Sequence, residues 1–303
     1  MAIHNQRATG RPACLAVGAA ALALLMTAAD AAGGQMPATH AIATAAPAAT
    51  APADVAPRGA TGAPGVAAFS CSAPAEFARF NYPLPNAARR LAGGGPLTIV
   101  AIGSSSTAGA GASSPAASYP SRLALELKRR LPGHAITVLN RGVGGQETEQ
   151  MMARFATDVI AAHPDLVLWQ VGTNSVLRNF PLKPHSVMLR EGIEQLKVAG
   201  ADVVLIDMQY APRVLSRPET SGMEDQIALA AKAASVDLFN RFAVMRNWYK
   251  VQHMPFDAFI SSDDLHMNDW SYACVAKLLA GAITEAATRP MASAAAPLRK
   301  NAR

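Results

Sequence analysis

Short, continuous apolar runs alternate along this chain with longer segments in which apolar residues recur at helical spacing. The runs are four to six residues long and rich in Val, Ile and Leu, and they span residues 97–102, 136–139, 166–171, 203–208 and 236–239. Continuous runs of this length are typical of strands buried on both faces of a parallel sheet. The sequence therefore predicts five buried parallel strands.

Between these runs, apolar residues three or four positions apart predict helices. The helical segments lie at residues 123–131, 151–159, 189–200, 223–234 and 271–287, and residues 242–248 suggest either a helix or irregular structure. Strands that alternate with helices form right-handed crossovers, with helices on both faces of the sheet. We therefore predict an α/β protein, a single three-layer α/β/α sandwich of flavodoxin-like type with a five-stranded parallel sheet.

The first 31 residues have the features of a Sec-type signal peptide. Arg7 and Arg11 precede an apolar run at residues 13–26, and Ala29 and Ala31 supply small residues where a signal peptidase cleaves. The run is shorter than the roughly 20 residues of a membrane-spanning helix. We expect cleavage after Ala31 and a periplasmic or secreted protein, with an uncleaved anchor or a buried helix as the alternatives.

Composition divides the rest of the chain into three parts. Residues 32–69 contain 15 Ala, 5 Pro and 5 Gly, and such sequence has too little apolar surface to offset the entropy of folding. The sequence thus predicts a disordered linker over residues 32–70, one folded domain over residues 71–289 and a disordered tail over residues 290–303.

Charge and cysteine content exclude several classes of function. The net charge is +6, and the basic residues are scattered without a nucleic-acid-binding motif. We therefore expect no nucleic-acid partner, and no stable membrane insertion after signal cleavage; the oligomeric state is left open. Neither a Cys-x-x-Cys nor a His-Glu-x-x-His spacing occurs, so we expect no metal and no cofactor. Loss of the signal peptide leaves Cys71 and Cys274, either as a disulfide or as two separately buried thiols.

Three polar, glycine-containing loops follow the first three predicted strands, at residues 103–109, 140–145 and 172–174. Open parallel sheets bind ligands beyond the carboxyl ends of their strands. Loops of this kind bring backbone amides and short side chains close to an oxyanion or a phosphate. The first loop alone also fits the flavin phosphate site of an electron carrier, which is one alternative function.

A fourth polar loop, residues 261–268, precedes the last predicted helix and contains Asp263 and His266. An Asp three residues before a His can hold the imidazole, so that the other ring nitrogen faces a nucleophile. Alone, this spacing is common in surface and helix-capping pairs. Together with the three other loops it indicates nucleophilic catalysis by a serine.

In this order, the four loops resemble those of the SGNH or GDSL-type serine esterases and lipases. The nucleophile block corresponds to residues 103–107, the glycine block to 140–145, the asparagine block to 172–174 and the acid and base block to 263–266. The resemblance covers residues 97–279. Ser104 and Ser175 stand where the family commonly has Asp, which leaves the subfamily and substrate open.

The resemblance implies a role for each site residue. Ser105 would be the nucleophile, His266 the general base and Asp263 the carboxylate that orients His266. The backbone N–H groups of Ser105 and Gly145 and the side-chain amide of Asn174 would form the oxyanion hole.

Several neighbouring residues are assigned no catalytic role. Asp264 is the rival of Asp263 for the orienting carboxylate. Asp207, Gln209 and Tyr210 follow the fourth predicted strand, where they would line the site. Three further histidines, His163, His185 and His253, are interpreted as structural or surface residues.

The expected function is that of an exported serine hydrolase that cleaves carboxylic esters, including carbohydrate O-acetyl groups. Its partner would be a small-molecule or carbohydrate ester substrate, bound between walls at residues 179–184 and 248–259. An O-acyltransferase on the same scaffold and a non-catalytic carbohydrate-binding relative are the alternatives.

Overall fold

Five parallel strands form the central sheet of the computed structural model, which describes residues 69–289. The strands are β1 (Leu97–Gly103), β2 (Ile136–Gly142), β3 (Leu166–Gln170), β4 (Asp202–Ile206) and β5 (Asp237–Phe239). Their order in the sheet is β2-β1-β3-β4-β5. The chain therefore steps outward in one direction from β1 to β2 and in the other from β3 to β5, which is the doubly wound topology predicted from the sequence.

Helices cover both faces of this sheet. They are α1 (Ala75–Ala78), α2 (Pro85–Ala92), α3 (Ser105–Ala108), α4 (Tyr119–Arg130), α5 (Thr148–Met152), α6 (Thr173–Leu177), α7 (Leu182–Val198), α8 (Pro212–Leu215), α9 (Thr220–Ala233), α10 (Arg241–Lys250) and α11 (Asp269–Thr288). Helix α4 packs against α11, and α7 packs against α5 and α9. The predicted three-layer α/β/α sandwich is confirmed. No helix within residues 69–289 is both long and apolar enough to cross a membrane.

The strands differ in how deeply they are buried. Strands β3 and β4 are buried along their whole length, because helices cover both faces. The edge strand β2 is only partly buried and exposes Thr137 and Asn140. The expectation of full burial is therefore wrong for β2, whose outer side has no neighbouring strand.

The helix predicted at residues 151–159 is interrupted. Helix α5 ends at Met152, and Phe155–Val159 form a π-helical turn. The interruption lies at Arg154, whose guanidinium donates to the carbonyl of Arg141 at 2.6 Å and to the carboxylate of Asp158 at 2.7 Å. The apolar spacing thus predicted the burial of this segment correctly, but not its continuity as a helix.

Cys71 and Cys274 form a disulfide whose Cα atoms are 5.4 Å apart. Of the two alternatives left by the sequence, the structure contains the disulfide. It ties the segment that precedes α1 to helix α11. The indole N–H of Trp248 also donates to the carbonyl of Ser72 at 3.0 Å, so the start of the described chain is anchored to α10 as well.

Three aspartates at the amino edge of the sheet bind the leading segment, residues 69–95. Asp165 precedes β3 and pairs with Arg90 at 2.9 Å. Asp202 begins β4 and accepts hydrogen bonds from the backbone N–H groups of Asn86 and Ala87, in the first turn of α2. Asp237 begins β5 and accepts from two further N–H groups, at positions 81 and 82. We call Asp165, Asp202 and Asp237 the amino-edge aspartates.

The predicted signal peptide (1–31), nearly all of the predicted linker (32–70) and the predicted tail (290–303) lie outside the described residues. These boundaries stay predictions.

Candidate active site

Ser105 begins α3 directly beyond the carboxyl end of β1. The turn between strand and helix requires glycine at position 103, because a Cβ there would lie 2.1 Å from the hydroxyl of Thr107. Ser104 anchors the turn, since its backbone N–H and its hydroxyl each donate to the side-chain carbonyl of Gln170 at 2.9 Å. Ser104 is buried and Ser105 is partly exposed. The fold therefore presents the hydroxyl of Ser105 at the carboxyl edge of the sheet.

His266 reaches Ser105 from the loop between α10 and α11. Its Nε2 lies 2.8 Å from Ser105 Oγ, and its Nδ1 lies 2.5 Å from a carboxylate oxygen of Asp263. The loop is closed by a bridge between Ile260 and Met267 and by the hydrogen bond from Ser261 N–H to the carbonyl of His266 at 2.8 Å. The three predicted triad residues are thus joined by two hydrogen bonds.

Asp263 is held by its own loop. One carboxylate oxygen accepts from Ser261 Oγ at 2.7 Å and from the backbone N–H groups of Leu265 at 3.0 Å and His266 at 2.9 Å. Partial burial by itself raises the pKa of Asp263. The hydrogen bonds from the side chain and backbone of His266, from Ser261 and from Leu265 outweigh it and hold this pKa well below its usual range. Asp263 is therefore a firmly ionised partner for His266.

Asp264 takes a different position. Its φ is 59°, and its side chain is exposed. The backbone carbonyl of Asp264 accepts from Arg213 N–H at 3.1 Å. Within the described residues, the carboxylate hydrogen-bonded to His266 is that of Asp263, as the spacing predicted.

The glycine loop and the asparagine loop are tied to each other. Asn174 Nδ2 donates to the carbonyl of Gln146 at 2.8 Å, and Arg178 donates to the carbonyl of Gly145 at 2.7 Å. Gly145 has a φ of 79°, a conformation that favours glycine. An amide nitrogen carries two hydrogens, so Asn174 retains a second N–H for a ligand.

The backbone at the end of β2, where the glycine loop begins, packs closely against α3, the helix that begins with Ser105. A Cβ at Gly142 would lie 2.1 Å from the backbone nitrogen of Ala108, so only glycine fits at the end of β2. Strand β1 lies between β2 and β3. Consequently, the loops that carry Gly145 and Asn174 flank the loop that carries Ser105.

Gln209, to which the sequence assigns no catalytic role, is hydrogen-bonded to three of the site loops. Its side-chain carbonyl accepts from Thr173 Oγ1 at 3.0 Å and, more weakly, from Ser106 Oγ at 3.4 Å. Its amide nitrogen donates to the carbonyl of Leu265 at 3.2 Å. Arg241 donates to the same Gln209 carbonyl at 3.0 Å, and both side chains are buried.

Arg241 was missed entirely from the sequence. The available signal was one Arg in the otherwise apolar stretch at the start of α10. Its guanidinium donates to the backbone carbonyl of Asp207 at 2.5 Å. Burial raises the pKa of the Asp207 carboxyl to about 8, against the opposing effects of the Phe242 N–H and of Arg241.

Residues of the two predicted substrate walls differ in how far they are exposed. Trp248 and Phe259, the two ends of the predicted wall at residues 248–259, are fully buried and pack edge to face, so neither of them can contact substrate. Tyr249 and Phe256 are partly exposed and stack with their ring centroids 4.3 Å apart. At the other wall, Phe180 borders a cleft of about 150 Å³ beside the glycine loop.

His163, His185 and His253, which the sequence predicts to be structural or surface residues, are respectively exposed, buried and exposed. His185 lies 2.9 Å from the hydroxyl of Thr148 and has its pKa lowered to about 4 by burial.

Comparison with known proteins agrees with the resemblance seen in the four loops. Residues 70–289 match the model of the non-GDSL lipase-like family. A stretch of 80 residues is 35% identical to an arylesterase of Vibrio mimicus and covers 26% of this chain and 40% of the arylesterase. The chain thus spans less than half of that relative.

Solved structures share the fold at low sequence identity. A two-domain esterase active on acetylated mannans has a TM-score of 0.60 at 19% identity, over 74% of this chain and 60% of that one. TesA has a TM-score of 0.54 at 18% identity, over 62% of this chain and 99% of that one. Axe2, an acetylxylan esterase from Geobacillus stearothermophilus, has a TM-score of 0.50 at 19% identity, over 62% and 94% of the two chains. With its family model matched along the whole described domain, this chain belongs to the non-GDSL lipase-like family and has the fold of the SGNH hydrolases.

Proposed function

We propose that this protein is an exported serine esterase that removes short acyl groups, including O-acetyl groups of carbohydrates. The observation that carries the proposal is the hydrogen-bonded series from Asp263 through His266 to Ser105, with distances of 2.5 and 2.8 Å. A carboxylate, an imidazole and a hydroxyl in this order are the groups that serine hydrolases use.

In the proposed mechanism, Ser105 Oγ attacks the ester carbonyl while His266 Nε2 takes its proton. The carboxylate of Asp263 accepts a hydrogen bond from His266 Nδ1–H and stabilises the imidazolium that forms. His266 then returns the proton to the leaving alcohol, which separates and leaves an acyl-enzyme. Water enters, loses a proton to His266 and releases the acid, and Ser105 recovers its hydrogen.

The tetrahedral oxyanion would be bound by three neutral donors. These are the backbone N–H groups of Ser105 and Gly145 and the second side-chain N–H of Asn174. The hydrogen bonds from Asn174 to Gln146 and from Arg178 to Gly145 fix the two loops before substrate arrives. Donors fixed in advance stabilise developing charge without reorganisation during the reaction.

Similarity to other esterases supports the choice of substrate. Two of the similar structures are described as an esterase active on acetylated mannans and as an acetylxylan esterase. An export signal would place this protein where polysaccharides occur. Transfer of the acyl group to a sugar hydroxyl instead of water uses the same residues, so product analysis has to separate the two reactions.

The first test is the release of 4-nitrophenol from 4-nitrophenyl acetate by wild type, Ser105→Ala and His266→Asn. Matched controls are Ser262→Ala and His253→Asn, which change exposed residues of the same types. We expect both active-site variants to lose nearly all activity at unchanged melting temperature, and both controls to retain it. An inactive, folded wild type would favour the carbohydrate-binding alternative, and an active Ser105→Ala would mean another nucleophile.

A second test addresses substrate and export. Acetate release from acetylated mannan and acetylated xylan is measured with and without an oligosaccharide acceptor. Free acetate as the main product supports the esterase, whereas an acetylated acceptor supports the acyltransferase. The mass of the protein recovered from the periplasm or medium should correspond to a chain that starts at Ala32.

A further inference from the structure

Gln209 lies where three loops of the candidate active site meet the buried Arg241. We propose that Gln209, oriented by Arg241, is a positioning residue that fixes the His266 loop relative to Ser105 and Asn174. The proposal rests on the esterase function proposed above. The proposed role differs from those of the triad and the oxyanion donors, because the hydrogen bonds of Gln209 go to neighbours of these residues and not to His266 or Ser105 Oγ.

Each contact of Gln209 within the site is made to the chain neighbour of a site residue. Thr173 precedes Asn174 and donates to Gln209 at 3.0 Å, and Leu265 precedes His266 and accepts from Gln209 at 3.2 Å. Ser106 follows Ser105 and lies 3.4 Å away. One rigid amide thus sets the spacing of the three loops that supply the nucleophile, the base and an oxyanion donor.

Arg241 determines which way this amide points. A guanidinium has only donors, so the Gln209 atom that faces it at 3.0 Å must be the oxygen. The amide nitrogen must then face the carbonyl of Leu265, which has only acceptors. If the amide were flipped, its nitrogen would face the donors of Arg241 and its oxygen would face the carbonyl oxygen of Leu265. Both of these unfavourable pairs would be buried.

The hydrogen bond from Gln209 to Leu265 bears on the general base, because Leu265 directly precedes His266. Its carbonyl accepts from Gln209, and its N–H donates to Asp263 at 3.0 Å. Leu265, which directly precedes His266, is therefore held through both its N–H and its carbonyl. A shift of this peptide would move His266 Nε2 away from Ser105, and displacements of about 1 Å can cost about 10²-fold in rate.

The decisive variant is Gln209→Glu. It keeps the side-chain volume and an oxygen for Arg241, but replaces the donor toward the Leu265 carbonyl. Gln195→Glu makes the same chemical change at an exposed position of α7 and is the control. We expect kcat for 4-nitrophenyl acetate to fall about 10- to 100-fold in Gln209→Glu, with KM within about twofold and an unchanged control.

A second pair of variants keeps the test decisive if Gln209→Glu folds poorly. Thr173→Val removes the hydroxyl donor at nearly constant shape, whereas Thr173→Ser retains it. We expect Thr173→Val to lower kcat severalfold and Thr173→Ser to restore most of it. A role in packing alone predicts the reverse order, because serine lacks the methyl group that fills this buried position.

The rate of Ser105 labelling by a fluorophosphonate provides a readout independent of substrate binding. We expect Gln209→Glu to slow labelling in the wild-type background and to have no further effect in His266→Asn, because the residue acts through His266. Wild-type kcat in folded Gln209→Glu, or in Thr173→Val, would overturn the inference while leaving the esterase intact. A wild type that neither hydrolyses ester nor is labelled at Ser105 would instead overturn the proposed function.

Discussion

At the amino edge of the sheet, aspartates bind main-chain N–H groups of the leading segment, whereas at the carboxyl edge polar side chains bind one another. Asp202 caps the first turn of α2 from a different part of the chain. At the opposite edge, Gln170 and Gln209 join the loops that follow β1, β3 and β4 to the loop that precedes α11. One edge thus fastens a segment to the domain, and the other fixes side chains relative to each other.

Carboxylates at the two edges also differ in the direction in which their pKa is shifted. Asp202 is only 7% exposed, and burial raises its pKa despite the donors from residues 86 and 87. The side chain of Asp263 is 42% exposed, and its hydrogen bonds prevail over burial and lower its pKa. Both carboxylates accept several hydrogen bonds, so the degree of burial accounts for the opposite directions.

The largest effect on activity is expected at the carboxyl edge, for Asp263→Asn. Loss of the carboxylate removes the group that holds the imidazole tautomer, so kcat should fall about 10³- to 10⁴-fold with little change in melting temperature. Ester hydrolysis and thermal unfolding are measured on the same samples. Asp264→Asn is the matched control and should behave as wild type, because asparagine tolerates its positive φ. Equal losses in both variants would refute the assignment of Asp263.

The largest effect on stability is expected for the disulfide. Cys71 and Cys274 are separated by 203 positions, so their link removes much entropy from the unfolded chain. Replacing both by serine should lower the free energy of unfolding by about 5 kcal/mol, as measured by urea denaturation. The folded fraction should keep its kcat, since the disulfide joins the leading segment to α11 and not to the loops that carry Ser105, Asp263 and His266. Wild type treated with a reductant should match the variant, and a large difference between the two would contradict this account.

Removal of an oxyanion donor should have the next largest effect. Asn174→Ala should lower kcat about 10²- to 10³-fold, or roughly 2.7–4 kcal/mol. The lost hydrogen bond to Gln146 should cost the fold only about 1 kcal/mol. Asn174→Asp has the same shape but no donor and should be at least as impaired. A kcat near that of wild type in Asn174→Ala would exclude the side chain from the oxyanion hole.

The carboxyl edge could be predicted from the sequence because its signals are local. Glycine marks the strand-to-helix turn at position 103, and three residues separate Asp263 from His266. The position of Gln209 after the fourth strand predicted that it lines the site, but its role gave no local signal. Its partners are 36 and 56 positions away and meet it only after the sheet has formed. Asp202 was missed for the same reason, since it binds residues 115 and 116 positions earlier.

Burial was predicted more reliably than local geometry. The spacing of Met151, Phe155 and Val159 predicted three buried side chains, and all three are buried. It could not predict the break at Arg154, which depends on carbonyls of the distant residues 103 and 141. Periodicity reports which side chains face the core, but it carries no information about long-range hydrogen bonds such as those of Arg154.

A smaller effect, on stability alone, is expected at the amino edge. Asp202→Ala leaves the N–H groups of Asn86 and Ala87 without their acceptor, which should cost about 1–3 kcal/mol of unfolding free energy. kcat should stay unchanged, because these contacts lie at the opposite edge from Ser105. Asp225→Ala, at an exposed position of α9, is the control. A loss of kcat as large as that of Asp263→Asn would show that the two edges are coupled.

Asp207 tests whether burial also determines the pKa of a carboxyl group at the carboxyl edge of the sheet. Burial raises the pKa of Asp207 from 3.8 to about 8, opposed by the Phe242 N–H and Arg241 and reinforced by Glu224. Between about pH 4 and 8, the folded protein therefore keeps a proton that the unfolded chain has released. This group makes the free energy of unfolding fall as pH rises, by at most about 1.4 kcal/mol per pH unit.

Asp207→Asn removes this titration while its side-chain oxygen can still accept from Phe242 N–H, a bond of 2.9 Å in the wild type. Its stability relative to wild type should therefore improve steadily from pH 5 to pH 8, as followed by urea denaturation at several pH values. Arg241 binds the backbone carbonyl of residue 207, so the substitution leaves that contact in place. A stability difference that is constant with pH would mean that Asp207 is already ionised in the folded protein. Hydrogen bonds would then outweigh burial at Asp207 as they do at Asp263, and the two edges would differ by more than solvent exposure.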